Sequence, residues 1–210
     1  MSQQSDLVGR REKAMADKRR RIMDAARSLF AERGVGHVTT QEVSDRADVA
    51  IGTLFRYAAT KAELLIMVQN EKFRAAIDEG LAASESLSGS DASAQDAVMA
   101  LLSPVIECVR EQPENGRQYL HELVFGDPTE QHRSAGLAEA WRFEAAIADI
   151  LRTLPDVDER TRATLARVVT SIVHVTMTAT LHLRDTPGEI EAVVQSQLTA
   201  VLAGQERVRG

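Results

Sequence analysis

The sequence predicts an all-α fold, with an N-terminal three-helix domain of the helix-turn-helix type and a larger C-terminal helical bundle. Apolar residues recur at the i, i+3, i+4, i+7 spacing of one-sided helices through most of the 210 residues. Three Thr-x-x-Glu capping signals, at Thr39, Thr60 and Thr186, mark where helices begin. No segment shows the apolar and polar alternation that predicts a strand.

The N-terminal third of the chain predicts three helices after a flexible arm. Residues 1–17 show no strong periodicity, so we expect the arm there. A first helix should run from Lys18 to the glycine at Gly34, and the next caps open helices over about 40–47 and 61–82. A short helix over about 50–57 lies between these two, after a tight turn. Two short helices joined by such a turn form a helix-turn-helix.

The remaining chain predicts a helical bundle after a serine-rich linker at 84–93. Helices are expected over about 94–111, 115–125, 134–153, 158–183 and 188–203. Pro104 lies inside the first of these helices and should kink it, because proline lacks a backbone donor. The predicted domains are therefore an arm at 1–17, a helix-turn-helix domain at 18–68 and a C-terminal domain at 69–210.

The composition predicts a cytoplasmic globular protein. Apolar residues make up 44% and charged residues 27% of the chain, as is ordinary for soluble domains. No apolar run approaches the roughly 18 residues of a membrane span, and the N-terminus lacks the apolar stretch of a secretory signal. A single cysteine, Cys108, excludes an internal disulfide framework.

Charge is distributed unevenly along the chain. The whole chain has a net charge of −6, yet residues 1–74 carry 14 basic and 10 acidic side chains, whereas residues 75–210 carry 11 and 21. A basic N-terminal part on an acidic remainder favours a polyanionic partner for the first part. An accident of surface composition explains the same asymmetry equally well.

The short helix at 50–57 holds several side chains suited to contacting DNA. Leu54 should be buried against the first helix, which leaves five residues facing outward or to the side: Ile51, Gly52, Thr53, Phe55 and Arg56. A glycine permits close approach, a threonine can bond phosphate or touch a thymine methyl, and an arginine can read guanine or neutralise phosphate. Taken singly, each residue also has a structural explanation, such as helix packing, core burial or a solvated charge.

The segment "RRIMDAARSLFAERG…TTQEVSDRADVAIGTLFRYAATKAELL" resembles the N-terminal domain of TetR-family transcriptional regulators, over about Arg19 to Val68. The resemblance implies an all-helical homodimer that binds a palindromic operator, usually as a repressor, and a C-terminal domain that dimerises and binds a small effector. No cofactor or metal is expected. The predicted DNA contacts are Thr39, Thr40, Gln41, Ala50, Ile51, Gly52, Thr53, Phe55, Arg56, Tyr57 and Lys61.

The segment departs from the family pattern at three positions. Asp48 stands where the turn usually has glycine, and aspartate tolerates the left-handed conformation better than most residues. Ala58 replaces a common large aromatic, which should loosen packing against the following helix, and Ala59 replaces a common proline or glycine. The basic run Lys18–Arg21 can supply phosphate contacts or form a solvated helix start.

The C-terminal domain predicts a largely apolar effector pocket and a dimer interface. The candidate pocket residues are Tyr119, His121, Phe125, Trp141, His174 and Met177. An apolar cavity with a few polar anchors is typical of small-molecule sites, although a plain helical core uses the same residue types. The last two helices carry more apolar surface than one small domain buries, so we expect them to pair with a second copy.

Two other functions compete with a ligand-responsive repressor. One is a metal-dependent or helical-bundle enzyme, for which the segment "HELVFGDPTEQH" offers His121, Glu122, Asp127 and His132. Their spacing matches no ligand pattern, and the chain contains no phosphate-binding glycine loop or nucleophile elbow. The other is a small-molecule-binding dimer of the same fold whose DNA binding has been weakened or lost through the changes at Asp48 and Ala58.

Overall fold

A computed structural model of the protein describes residues 2–87, 89, 91–127, 129–155 and 157–207, with side chains described between Gly9 and Leu202. The described residues form helices and turns without a strand, so the all-α prediction is confirmed. The helices are α1 (Ser2–Arg33), α2 (Thr40–Arg46), α3 (Ile51–Leu54), α4 (Lys61–Ser86), α5 (Ala94–Arg110), α6 (Pro113–Phe125), α7 (Gln131–Ile150), α8 (Glu159–Thr178) and α9 (Pro187–Arg207).

The bounds of several helices differ from the sequence prediction. The short helix expected over 50–57 is helical only from Ile51 to Leu54 and continues as turns to Tyr57, and α7 begins and ends three residues earlier than expected. Helix α1 begins at Ser2, so residues 2–17, which we expected to form an arm, are helical; Arg, Lys, Glu and Ala are good helix formers. Helix α4 continues to Ser86, into the expected linker. Helix α8 ends at Thr178 rather than near 183, because Ala179 adopts an extended backbone. Pro104 lies within an uninterrupted α5.

We call α1–α3 the head and α5–α9 the body, while α4 belongs to both. In the head, α1 buries Ile22, Leu29 and Phe30, and Leu54 of α3 is fully buried as predicted. In the body, α4 packs against α5, α6 and α7, and one continuous apolar core runs through both parts. No helix in the described part of the chain has both the length and the apolar character needed to cross a membrane.

The apolar residues of 134–153 fall on two helical faces, one with Leu137, Trp141 and Leu151 and the other with Phe143, Ile147 and Ile150, so the sequence predicts burial on both; the structure leaves much of the first face open. Phe143 and Ile147 are in the core, whereas Trp141, on the other predicted face, is 68% exposed. Helix α7 crosses α4 and α6 closely at Gly136, near its start. A Cβ at this position would lie 2.5 Å from Leu123 Cδ2 and 2.6 Å from Asn70 Oδ1. The N-terminal half of α7 is therefore pressed against α4 and α6.

Candidate nucleic-acid interface and effector cavity

Helix α2 begins with a complete capping box. The Thr39 backbone N–H donates to Glu42 Oε2 (2.8 Å), and the Glu42 N–H donates to Thr39 Oγ1 (3.2 Å). Arg33 at the end of α1 donates to the other carboxylate oxygen at 2.9 Å. The Thr39 backbone bond, followed by the Arg33 and Thr39 side chains, lowers the pKa of Glu42 to about 2. The start of α2, with Thr39 exposed, is thereby fixed against α1.

The turn between α2 and α3 adopts the conformation expected of Asp48. Its φ is +51°, in the left-handed region that favours glycine. Arg21 of α1 donates to both the Asp48 carbonyl (3.1 Å) and its carboxylate (3.2 Å). The turn is therefore retained without glycine and is tied to α1 by one arginine.

Helix α3 presents one face to solvent. Gly52, Phe55 and Arg56 are exposed, and Ile51 and Thr53 are half-buried. Phe55 keeps 45% of its surface exposed, which is unusual for a phenylalanine whose only role is packing. A Cβ at Gly52 would meet nothing within 4 Å, so this glycine is not required by packing inside the chain. The remaining predicted contact residues of this region, Thr40, Gln41 and Ala50, lie at the start of α2 and at the start of α3.

Several polar groups that we expected at the DNA surface are engaged within the protein. The Tyr57 hydroxyl donates to the Met15 carbonyl (3.1 Å), and Lys61 Nζ donates to the Val35 carbonyl (2.9 Å). The basic run on α1 is also paired: Arg20 contacts Asp17 at 2.5 Å, and Arg19 lies 3.5 Å from Glu71. These contacts orient the basic side chains along the head and reduce the charge left for a partner.

The junction between α3 and α4 differs from the expected second capping box. The Thr60 hydroxyl does accept from the Glu63 N–H (2.9 Å), but the Glu63 carboxylate accepts from Ala59 N–H (3.1 Å) rather than from Thr60. Its other oxygen accepts from the backbone N–H of His132, in α7, at 2.9 Å. His132 Nε2 lies 2.7 Å from the Tyr57 carbonyl. Sequence reasoning missed this contact, because 75 residues separate its partners.

The body contains an apolar cavity of about 410 Å³ between α4, α5, α6, α7 and α8. Three of the predicted effector residues line it: Trp141, His174 and Met177. Its other apolar walls include Phe73, Leu120, Leu123, Phe143 and Val173. Burial, followed by the nearby His121, lowers the pKa of His174, which favours the neutral imidazole. Arg167 and Glu144, 3.5 Å apart, are the charged side chains of the lining.

The structure places the other three predicted effector residues outside this lining. Tyr119 is only 2% exposed, and its hydroxyl donates to Asn70 Oδ1 at 2.9 Å. His121 and Phe125 pack against each other on the exposed side of α6, with ring centroids 5.1 Å apart. They point away because α6 directs its buried face, with Leu120 and Leu123, towards the cavity.

The residues considered for a metal site do not converge. Asp127 accepts from the Thr129 hydroxyl and N–H, and His132 contacts the α3–α4 junction. Among the described residues, no group of three or more His, Cys, Asp or Glu side chains is placed to hold a metal ion. Cys108 is half-buried, and burial raises the pKa of its thiol to about 11, as suits a packing residue.

One segment of the chain, from α1 to the first turns of α4, is similar to a known protein family. Residues 22–68 match the model of the bacterial regulatory proteins of the tetR family. Over 60 residues the chain is 40% identical to the HTH-type transcriptional repressor KstR of Mycobacterium tuberculosis (strain ATCC 25618 / H37Rv) and 40% identical to KstR of Rhodococcus jostii (strain RHA1). That match covers 29% of this chain, and only 27% and 28% of the two relatives' length.

Solved structures resemble the chain along most of its length. A TetR transcriptional regulator from Rhodococcus sp. RHA1 has a TM-score of 0.67 at 20% identity, covering 90% of this chain and 96% of that one. Thermus thermophilus FadR, a TetR-family repressor solved with lauroyl-CoA, has a TM-score of 0.68 at 22% identity, covering 89% and 94%. Residues 22–68 therefore match the tetR family of bacterial regulatory proteins, and the chain as a whole has a fold similar to that of solved TetR-family regulators.

Proposed function

We propose that the protein is a transcriptional repressor that binds a palindromic DNA operator through α2 and α3. The observation that carries the proposal is the exposed face formed by α3 and the turn that follows it. Gly52, Phe55 and Arg56 are exposed there, while Leu54 is buried against the rest of the head. In a helix-turn-helix the second helix enters the major groove with such a face. The match of this segment to repressors of the same family supports the same function. A repressor of this kind acts in the bacterial cytoplasm.

The proposed operator contacts are those predicted from the sequence, and they divide into two groups. Residues of α3 and its flanks, from Ala50 to Tyr57, are suited to base edges and nearby phosphates. Thr39, Thr40 and Gln41 at the start of α2, and Lys61 at the start of α4, lie at helix N-termini, which favour phosphate. Lys61 has three donors, so its bond to the Val35 carbonyl leaves two for a phosphate oxygen.

The repressor is proposed to act as a homodimer through α8 and α9. Helix α8 carries apolar side chains beyond its core face. Val169 and Val173 are in the core, whereas Val168 and Val175 are exposed and Ile172 is half-buried, at the spacing i, i+4 and i+7; Val175 also borders the cavity. Val175 is 62% exposed. An unburied apolar stripe of this kind is typical of an interface between copies.

The proposed effector is a small, largely apolar molecule that binds the cavity between α4 and α8. The apolar walls and the neutral His174 favour an uncharged body with a hydrogen-bonding group, and Arg167 can receive an anionic end. The Thermus structure holds lauroyl-CoA in the same fold, which makes acyl thioesters the first compounds to test. Binding would shift the population between DNA-competent and incompetent arrangements of two heads.

A second candidate is a ligand-binding dimer with weakened DNA binding. The observation that favours it is the internal use of polar groups in the head, since Tyr57 bonds Met15 and Lys61 bonds Val35. Arg21, the last residue of the basic run, is likewise used on Asp48. These groups would have to exchange partners before they could contact phosphate.

The first experiment is fluorescence anisotropy on the duplex upstream of the protein's own gene, at two salt concentrations, beside a scrambled duplex. We expect tight, salt-sensitive binding to the native duplex only, because phosphate contacts release counterions. Phe55→Ala/Arg56→Ala should weaken it by at least about tenfold. Phe125→Ala/Arg160→Ala removes the same side-chain types from exposed body positions and serves as the matched control.

Equal weak binding to both duplexes directs the search to the whole genome, using selection of bound fragments. Failure there to enrich any fragment over competitor DNA overturns the repressor and favours the second candidate. The dimer is tested by light scattering on Val168→Asp/Val175→Asp, expected to be monomeric, against Phe125→Asp, an exposed apolar position on α6 outside the cavity lining.

A further inference from the structure

His132 connects the body to the end of the predicted recognition segment. It lies in the first turn of α7, and its Nε2 is 2.7 Å from the Tyr57 carbonyl. A carbonyl oxygen only accepts, so Nε2 carries the hydrogen and donates it. The Tyr57 and Ala58 N–H groups both donate to the Leu54 carbonyl, which places Tyr57 where the helical turns following α3 end. Carbonyls at a helix end lack intrahelical partners, and His132 supplies one from another part of the chain.

The backbone of His132 is fixed from both sides by buried side chains of α4. Glu63, 5% exposed, accepts from the His132 N–H with one oxygen (2.9 Å) and from the Ala59 N–H with the other (3.1 Å). Asn70, 7% exposed, donates to the His132 carbonyl at 2.9 Å and accepts from Tyr119. The imidazole, the N–H and the carbonyl of His132 are thus all hydrogen-bonded.

The close approach of α7 to α4 depends on Gly136, one turn further along. A Cβ at this position would lie 2.6 Å from Asn70 Oδ1 and 2.5 Å from Leu123. Ala59 acts differently: its N–H donates to Glu63, the side chain that also accepts from the His132 N–H, and a proline there would have no N–H to donate. Gly136 thus allows α7 to approach, and Ala59 holds one oxygen of the carboxylate that α7 binds.

We propose that His132, although outside the helix-turn-helix domain, is a positioning residue for the recognition helix. Its bond sets where the Tyr57 end of the segment lies relative to α4 and α7. Helix α7 also lines the apolar cavity, with Leu137, Ala140 and Trp141. A ligand that displaces α7 therefore also moves His132 and its hydrogen bond to the Tyr57 carbonyl. The expected change in DNA affinity rests on the proposed function, whereas the expected ordering of residues 53–60 by His132 does not.

The test separates the hydrogen-bond donor of His132 from the bulk of its aromatic ring. His132→Phe removes the N–H, His132→Gln offers an amide N–H in its place, and His121→Phe makes the same change at an exposed histidine of α6 that contacts Phe125 rather than the head. Two readouts are measured on the full chain: amide hydrogen exchange of residues 53–60, and anisotropy on the duplex that the wild type binds.

In His132→Phe we expect about tenfold faster exchange at residues 53–60, unchanged exchange in α5, and about tenfold weaker DNA binding, as befits one lost hydrogen bond. His132→Gln should restore part of both effects, and His121→Phe should match the wild type. Wild-type exchange at 53–60 in His132→Phe overturns the proposal, as does faster exchange in α5 to the same degree, which indicates general destabilisation.

The exchange readout needs no DNA, so the proposal can be judged separately from the proposed function. If the wild type binds no duplex but His132→Phe loosens only residues 53–60, the repressor fails and the positioning role stands. If the wild type binds DNA and His132→Phe binds equally well, the repressor stands and the positioning role fails.

Discussion

The head and the body are stabilised by different kinds of interaction. In the head, identifiable polar groups fix the start of α2, through the Glu42 carboxylate, and the turn before α3, through Arg21; Thr60 does the same where the head joins α4. The body relies on long helices whose apolar faces interlock, as where α5 crosses Gly80 of α4. A short helix has too little apolar surface to fix its own orientation, so the difference follows from helix length.

This contrast predicts that the substitutions with the largest effect on the free energy of unfolding lie in the body. In Gly80→Ala, the added Cβ would lie 2.3 Å from the Leu101 carbonyl oxygen, and that backbone atom cannot rotate away. We expect the free energy of unfolding to fall by about 3 kcal/mol, measured by urea denaturation with far-UV circular dichroism. Gly52→Ala, in open space on α3, is the matched control and should be no less stable than the wild type. Equal urea midpoints for Gly80→Ala and wild type would contradict the close packing of α4 on α5.

An intermediate effect is expected at the contact between head and body. Asn115 of α6 is 1% exposed, accepts from the Val35 N–H (2.7 Å) and donates to the Phe30 carbonyl (2.8 Å). Asn115→Ala leaves the buried Val35 N–H without this acceptor and should cost about 2 kcal/mol. Gln118→Ala, an exposed amide on the same helix, should cost little. A single unfolding transition with an unchanged midpoint would show that Asn115 does not join the two parts.

The smallest effect is expected from the capping carboxylate of the head. The folded-state pKa of Glu42 lies near 2, below its ordinary value of 4.5, so its ionised form stabilises the folded protein above about pH 4.5. That stabilisation is lost as the pH falls from about 4.5 to about 2. The free energy of unfolding of Glu42→Gln should therefore be lower than that of the wild type at pH 7. This difference should disappear as the pH falls from about 4.5 to about 2. Urea midpoints at a series of pH values measure it.

The body offers a matched comparison for that pH dependence. Hydrogen bonds from the Thr186 backbone and hydroxyl also lower the pKa of Glu189, at the start of α9. Glu189→Gln should also lower the free energy of unfolding at pH 7 relative to the wild type. We expect a smaller decrease than for Glu42→Gln, because Glu42 has an additional bond from Arg33. A decrease for Glu42→Gln that persists unchanged at pH 2 would mean that the carboxylate charge is not what stabilises α2.

Local signals in the sequence were sufficient for much of the head. The cap at Thr39 and the left-handed turn at Asp48 each depend on residues within a few positions of one another, and both were predicted correctly. The capping box expected at Thr60 was only half right, because Glu63 bonds Ala59 and the distant His132 instead. The helical start of α1 was missed, since residues 2–17 lack the apolar spacing used to recognise a helix.

The cavity was harder to predict, because it depends on contacts between residues that are distant in the sequence. Its lining comes from five helices, and which side of each helix faces inward depends on packing between distant segments. Trp141, His174 and Met177 were placed at the cavity, while Tyr119 is in the core and Phe125 in solvent. Aromatic residues close together in sequence identified the region but not the direction in which each side chain points.

The position of Trp141 gives the protein a built-in spectroscopic reporter. It is the only tryptophan of the chain, it lines the cavity, and it is 68% exposed. A ligand that covers the indole should shift its emission to shorter wavelength and reduce its quenching by iodide. Cavity occupancy can therefore be titrated without a label, while a dye on the DNA reports the state of the head in the same cuvette.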